Sequence, residues 1–178
     1  MFLEKMKAVI ATVVLLAVGG CTSSSTTQSS KSPQYTATLT KLFVITNMGN
    51  GLRTTFGDET DDFIALSKSS LDSCGIKSEF HTRDDKLALK DTLSQQIAQF
   101  GPDAVLELSW TKDVSGRATH VVNYTANLYD PKSRSVVWTA TITLNQHYKA
   151  GAEMASALIG QMKKDAVLGA SCQTPKAS

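Results

Sequence analysis

Apolar residues change their spacing along this chain, and each spacing predicts a different element. The first block, Ala8–Val18, is an unbroken run of apolar and small residues behind the basic start Met1–Lys7. It is too short to span a bilayer comfortably and has the make-up of a secretory signal. Leu39–Thr46 is a second continuous run, with Leu42-Phe43-Val44-Ile45 at its centre and the turn residues Asn47 and Gly49-Asn50-Gly51 behind it. Such a run predicts a strand covered on both faces and placed centrally in a sheet. Helical spacing follows. Phe63-Ile64-Ala65-Leu66 and Leu71 come after Asp58, Glu59, Asp61 and Asp62 and end at Cys74-Gly75, which puts carboxylates at the positive end of a helix and glycine at its stop. A weaker strand, Ile76–Thr82, is next. Leu89, Leu93, Ile97 and Phe100 then share one helical stripe between the capping pair Asp84-Asp85 and Gly101-Pro102.

From Asp103 the period becomes two. Leu106, Leu108 and Trp110 alternate with Glu107, Ser109 and Thr111, and Val122, Tyr124, Ala126 and Leu128 alternate with Val121, Asn123, Thr125 and Asn127. Val136, Trp138, Ala140, Ile142 and Leu144 alternate in turn with Val137, Thr139, Thr141 and Thr143. Successive amphipathic strands predict an antiparallel meander with one buried and one threonine-rich face, and Asp130–Arg134, with Pro131 early in it, is its hairpin turn. A closing helix over Ala152–Leu168 shows Met154, Leu158, Met162 and Ala166 on one face. The expected fold is therefore α+β: a single mixed sheet, in the order β-α-β-α-β-β-β-α, with helices packed on one face.

The stretch Leu16-Ala17-Val18-Gly19-Gly20-Cys21 sharpens the reading of the leader. It resembles the cleavage and lipidation box of bacterial lipoproteins, which implies removal of residues 1–20 and acylation of Cys21, palmitate being among the usual chains. Thr22 follows where an aspartate would retain the protein at the inner membrane, which implies lipid anchoring in the outer membrane with the domain facing the periplasm. Each buried methylene of an anchor contributes about 0.8 kcal/mol, so several chains hold a protein effectively permanently. From Thr22 to Gln34 the composition is Ser, Thr, Gln and Lys with Pro33. Nothing in it is apolar enough to favour burial, so residues 21–34 are expected to form a lipidated cysteine and disordered tether, with a flexible-coil reach of roughly 20 Å. Residues 35–178 make the periplasmic domain, long enough for one core.

Charge and cysteines alter the picture in different degrees. Loss of Lys5, Lys7 and Glu4 with the leader leaves a net charge of +1, which gives no case for nucleic acid. Acylation of Cys21 turns an odd set of three cysteines into the pair Cys74 and Cys172. In an oxidising compartment these either form a disulfide or stay as two small thiols.

Catalytic and metal patterns are missing from the sequence. The acidic group Asp58–Asp62 lacks the alternating ligands and distal glutamate of a calcium loop, and His81, His120 and His147 are not at zinc-like spacing. No G-x-S-x-G elbow occurs, Asn50-Gly51 and Gly116 open no phosphate loop, and Asn123-Tyr124-Thr125 matches the glycosylation triplet by chance. No catalytic residue, metal or cofactor is expected. What remains is the polar face of the meander, with Asn123, Asn127, Tyr129, Thr139, Thr141 and Thr143, either a solvated surface or a docking face.

Leu128-Tyr129-Asp130-Pro131 and Val136-Val137-Trp138 carry a further likeness. They resemble the tyrosine-aspartate turn and following tryptophan of small envelope lipoproteins, and the topology is similar to the TolB amino-terminal type of periplasmic α/β module, also seen in the lipoproteins that activate penicillin-binding proteins and in the curli-secretion lipoprotein family. The resemblance implies a non-enzymatic module of a cell-wall or secretion system that binds an envelope protein or a copy of itself. The alternative is a lipoprotein that binds a small ligand or glycan in a cleft beside the sheet.

Overall fold

The structure, a computed structural model, describes residues 25–36, 38–49, 52–54, 57–83, 90–115, 120–145, 149–169 and 172–175. The expected leader and Cys21, the expected lipidation site, lie outside them. The elements are β1 (Ser25–Lys31), β2 (Lys41–Asn47), β3 (Arg53–Thr54), β4 (Gly57–Asp58), α1 (Thr60–Ser73), β5 (Lys77–Thr82), α2 (Lys90–Phe100), β6 (Ala104–Ser115), β7 (His120–Asp130), β8 (Ser135–Asn145) and α3 (Ala150–Lys164). Six strands form one mixed sheet in the order β1-β8-β7-β6-β2-β5, while β3 and β4 pair separately. The meander β6-β7-β8 is antiparallel, and β2 lies between two parallel neighbours, β6 and β5. That central place explains the continuous apolar run: Leu42, Phe43 and Val44 are all buried although they point alternately to opposite faces.

One face of the sheet carries the main core. Trp138, Leu128, Leu106 and Val44 line up across four strands by register, and Ala140, Ala126 and Leu108 form the next row. All are at most 1% exposed. On this face α3 lays down Met154, Ala155, Leu158, Ile159 and Met162, and α1 adds Phe63 and Leu71. The two helices approach closely at Gly151, where a Cβ would overlap the Glu59 carbonyl oxygen and come within 3.2 Å of the Phe63 nitrogen. A disulfide joins Cys74, just past α1, to Cys172, beyond α3, with Cα atoms 4.6 Å apart. The cysteine pair is thus bridged, and it staples the C-terminal tail to the first helix.

Several local expectations are corrected. Ser25–Lys31, expected as part of a disordered tether, is an edge strand paired residue for residue with β8 from Ser25↔Leu144 to Lys31↔Trp138. None of its side chains is buried. It is held by the backbone ladder, by Ser29 Oγ accepting from Gln161 Nε2 at 2.7 Å and by Lys31 Nζ donating to the Ala166 carbonyl at 2.8 Å. Composition hides such a strand because a ladder needs no apolar side chain. Helices do not all lie on one face: α1 and α3 share the core face, whereas α2 lies across the other, its Phe100 ring edge-on to Phe43 at 5.9 Å. Val136 is 54% exposed and Val137 is buried, because a bulge between Leu128 and Tyr129 shifts the register by one. Trp110, expected inside, is 39% exposed where β6 has its own bulge. The closing helix also stops earlier than its apolar stripe suggests. Ala166 adopts a positive φ of 51°, and the Val167 and Leu168 amides return to the Met162 carbonyl.

Candidate interaction face

The alternate residues of the same strands build the second face. Its rows follow from strand register. Ser30, Thr139, Asn127 and Glu107 lie side by side, then Gln28, Thr141, Thr125 and Ser109, then Thr26, Thr143 and Asn123. Across β1, β8 and β7 these positions hold Ser, Thr, Asn and Gln and no charged residue. Two cross-strand bonds lock the ladder: Thr139 Oγ1 donates to Asn127 Oδ1 at 2.8 Å, and Thr143 Oγ1 donates to Asn123 Oδ1 at 2.7 Å. The residues singled out from the alternation, Asn123, Asn127, Tyr129, Thr139, Thr141 and Thr143, are therefore brought together on one surface.

Toward the β7–β8 hairpin the same face turns apolar. Val136, Tyr129 and Val105 form one row and Asn127, Glu107 and Ile45 the next. Ile97 of α2 and Pro131 of the turn wall the remaining sides, leaving a groove of about 310 Å³. Glu107 meets Arg83 at 3.9 Å with both side chains well exposed, so this ion pair adds little. Alternation located Asn127 and Tyr129 but not the groove, because its other walls come from a helix, a bulge and a parallel strand that only the tertiary fold brings together. β1 likewise adds Thr26, Gln28 and Ser30, which no periodicity marks.

Carboxylates stiffen the hairpin end. Asp130 accepts the Lys132 amide at 2.9 Å and the Ser133 hydroxyl at 2.8 Å, which hold its carboxyl below the usual range. Burial raises the Asp103 carboxyl, but the hydroxyl and amide of Thr40 and the amide of Lys41, all within 2.9 Å, outweigh it and bring it down. Nearby Tyr35 is pushed up to about 12 by burial, with Asp130 and Asp103 adding to the shift. These groups act as fasteners. Among the described residues no three of His, Cys, Asp and Glu gather as a metal site. His81 lies on β5, partly buried, and the side chains of His120 and His147 lie outside the described residues. The acidic group divides its work: Asp58 Oδ1 accepts the Thr60 amide at 3.0 Å, and Glu59 Oε2 accepts the Gly151 amide at 2.9 Å at the start of α3.

No family model and no curated protein matches the chain. Solved structures are similar to it at low identity. A PelC dodecamer from Paraburkholderia phytofirmans has a TM-score of 0.46 and 19% identity over 75% of this chain and 94% of that one. The lipoprotein GNA1162 from Neisseria meningitidis has a TM-score of 0.38 and 16% identity over 70% of this chain and 98% of its own. Protein XCC0632 from Xanthomonas campestris has a TM-score of 0.37 and 12% identity over 78% and 87%. Among the described residues no helix is long and apolar enough to cross a membrane.

Proposed function

We propose that this chain is a lipid-anchored, non-enzymatic module on the periplasmic side of the outer membrane, and that it engages another envelope protein through the second face of its sheet. The observation that carries this reading is the join between the uncharged ladder and the groove. Charge-depleted surface beside exposed apolar side chains, here Val136 at 54% and Tyr129 at 38%, is the make-up of the centre of a protein interface. The lipobox supplies the anchor. Tyr129 and Pro131 of the tyrosine-aspartate turn and Val136 of the following Val136-Val137-Trp138, segments that resemble those of small envelope lipoproteins, line the groove itself.

The test is a photo-crosslinking side chain at Thr141 in living cells. A discrete adduct with one envelope protein, lost when Val136 is changed to Asp, is the expected result; diffuse labelling, or an adduct indifferent to Val136→Asp, overturns it. A second reading, a small ligand in the groove, rests on its volume of about 310 Å³ and apolar lining, at the lower end of the roughly 300–1,000 Å³ usual for ligand sites. It predicts a bound small molecule in native mass spectra of the purified protein.

A further inference from the structure

The strand that replaces the expected tether changes how the domain sits on its membrane. We propose that β1 acts as a strut: it holds the Ser25 end of the sheet against the lipid surface and presents the β7–β8 hairpin end, with the groove, away from it. The inference rests on the anchor reading of Cys21. Only three residues lie between Cys21 and Ser25, so over four steps of at most about 3.6 Å each the lipid-bearing cysteine lies within about 14 Å of the first strand residue. The antiparallel register places Leu144 and Asn145 of β8 at that same end. Ser135 lies at the other end of the eleven-residue strand, about 34 Å away at 3.4 Å per residue.

The two broad sides of the domain favour an end-on arrangement. The ladder rows of the second face, from Ser30 to Thr26, offer neither basic residues for anionic headgroups nor an apolar stripe to insert, and the core face is covered by α1 and α3. The membrane contact therefore stays at the end that carries the lipid. Pairing along the whole of β1, together with the Ser29–Gln161 and Lys31–Ala166 bonds to the α3 end, fixes the strut to the domain. The groove rows, level with Thr139 and Val136, lie about 17–27 Å along β8 from Leu144, the residue paired with Ser25, so the groove's partner is reached from the periplasm.

The experiment uses the full lipidated protein in phosphatidylcholine vesicles doped with a headgroup-nitroxide lipid. A fluorophore is placed on an added cysteine at one of two exposed positions, Asn145 at the strut end or Lys132 in the hairpin. Strong quenching at Asn145 and little at Lys132 is the expected result. A long Gly/Ser insertion between Cys21 and Ser25 should then relieve the quenching at Asn145. Equal quenching at both positions, or stronger quenching at Lys132, in protein whose mass shows acylated Cys21 overturns the strut while leaving the anchor standing. A mass without acyl chains on Cys21 overturns both.

Discussion

The two faces of the meander come from the same three strands and differ only in which residue of each pair they take. One face carries Trp138, Leu128, Tyr124 and Ile142, each at most 1% exposed; the other carries Thr139, Asn127, Asn123 and Thr143, tied to one another across β7 and β8. The first is closed by α1 and α3, and its energy is apolar area removed from water. On the second, α2 packs its Phe100 against Phe43 of β2 and Lys77 of β5. On the proposed function, stability and recognition are separated across about the thickness of one strand, and the separation can be tested from either side.

The core face should yield the largest effects. Trp138→Ala removes the largest fully buried side chain and should cost about 3–5 kcal/mol in denaturant unfolding. Gly151→Ala should also lower stability strongly, although it adds only a methyl, because α1 backbone occupies the space. Similar losses from Thr141→Ala, on the other face, would break the comparison. The disulfide comes next. It closes a separation of 98 residues, and replacing Cys74 and Cys172 together by Ser should cost about 2–4 kcal/mol, read as a lower melting temperature that matches the wild type under reducing conditions.

Much of the core face was legible in the sequence because period-two alternation states which residues go inward; Leu106, Leu108, Val122, Tyr124, Ala126 and Leu128 do so. Alternation fails where the backbone breaks step. The bulge at Val137 turns Val136 outward, and Trp110, still in register with Tyr124, is exposed where the bulge at Thr111 follows it; neither bulge has a glycine or proline to announce it. β1 was illegible for another reason: its stability comes from backbone pairing with β8 and from polar bonds to the α3 end, and neither leaves a hydrophobic pattern. The polar ladder could be read from Asn and Thr positions. The groove could not, since Ile45, Ile97 and Pro131 are far apart in the chain.

Asp165 gives a smaller, pH-dependent effect that sharpens the role of the β1 side. Burial raises its carboxyl, but bonds from Ser29, Trp138 and Gln161 outweigh burial and bring it below the usual range; the Trp138 Nε1 bond is 2.7 Å long. A lowered carboxylate contributes stability that is present above its unfolded value near 3.9 and is lost as pH falls through the folded value. Asp165→Asn should therefore cost about 1–2 kcal/mol at pH 7. The unfolding curves of variant and wild type should converge in acid, and a constant difference down to the acid limit would exclude the titration of Asp165 as the cause.

The smallest effect on stability should accompany the largest effect on recognition. Thr141 is exposed on the middle row of the ladder, flanked by Gln28 and Thr125, so Thr141→Arg finds room and leaves the buried rows untouched. Its unfolding free energy should stay within about 0.5 kcal/mol of wild type. The introduced guanidinium nevertheless puts a charge at the centre of a face that has none across β1, β8 and β7, and a partner docked there would have to desolvate it without a counter-charge. Crosslinking from a reporter at Thr139 should therefore disappear in Thr141→Arg while the melting temperature holds. If crosslinking survives with the melting temperature, the second face is solvated surface; if both fall together, the two faces of the sheet are not independent.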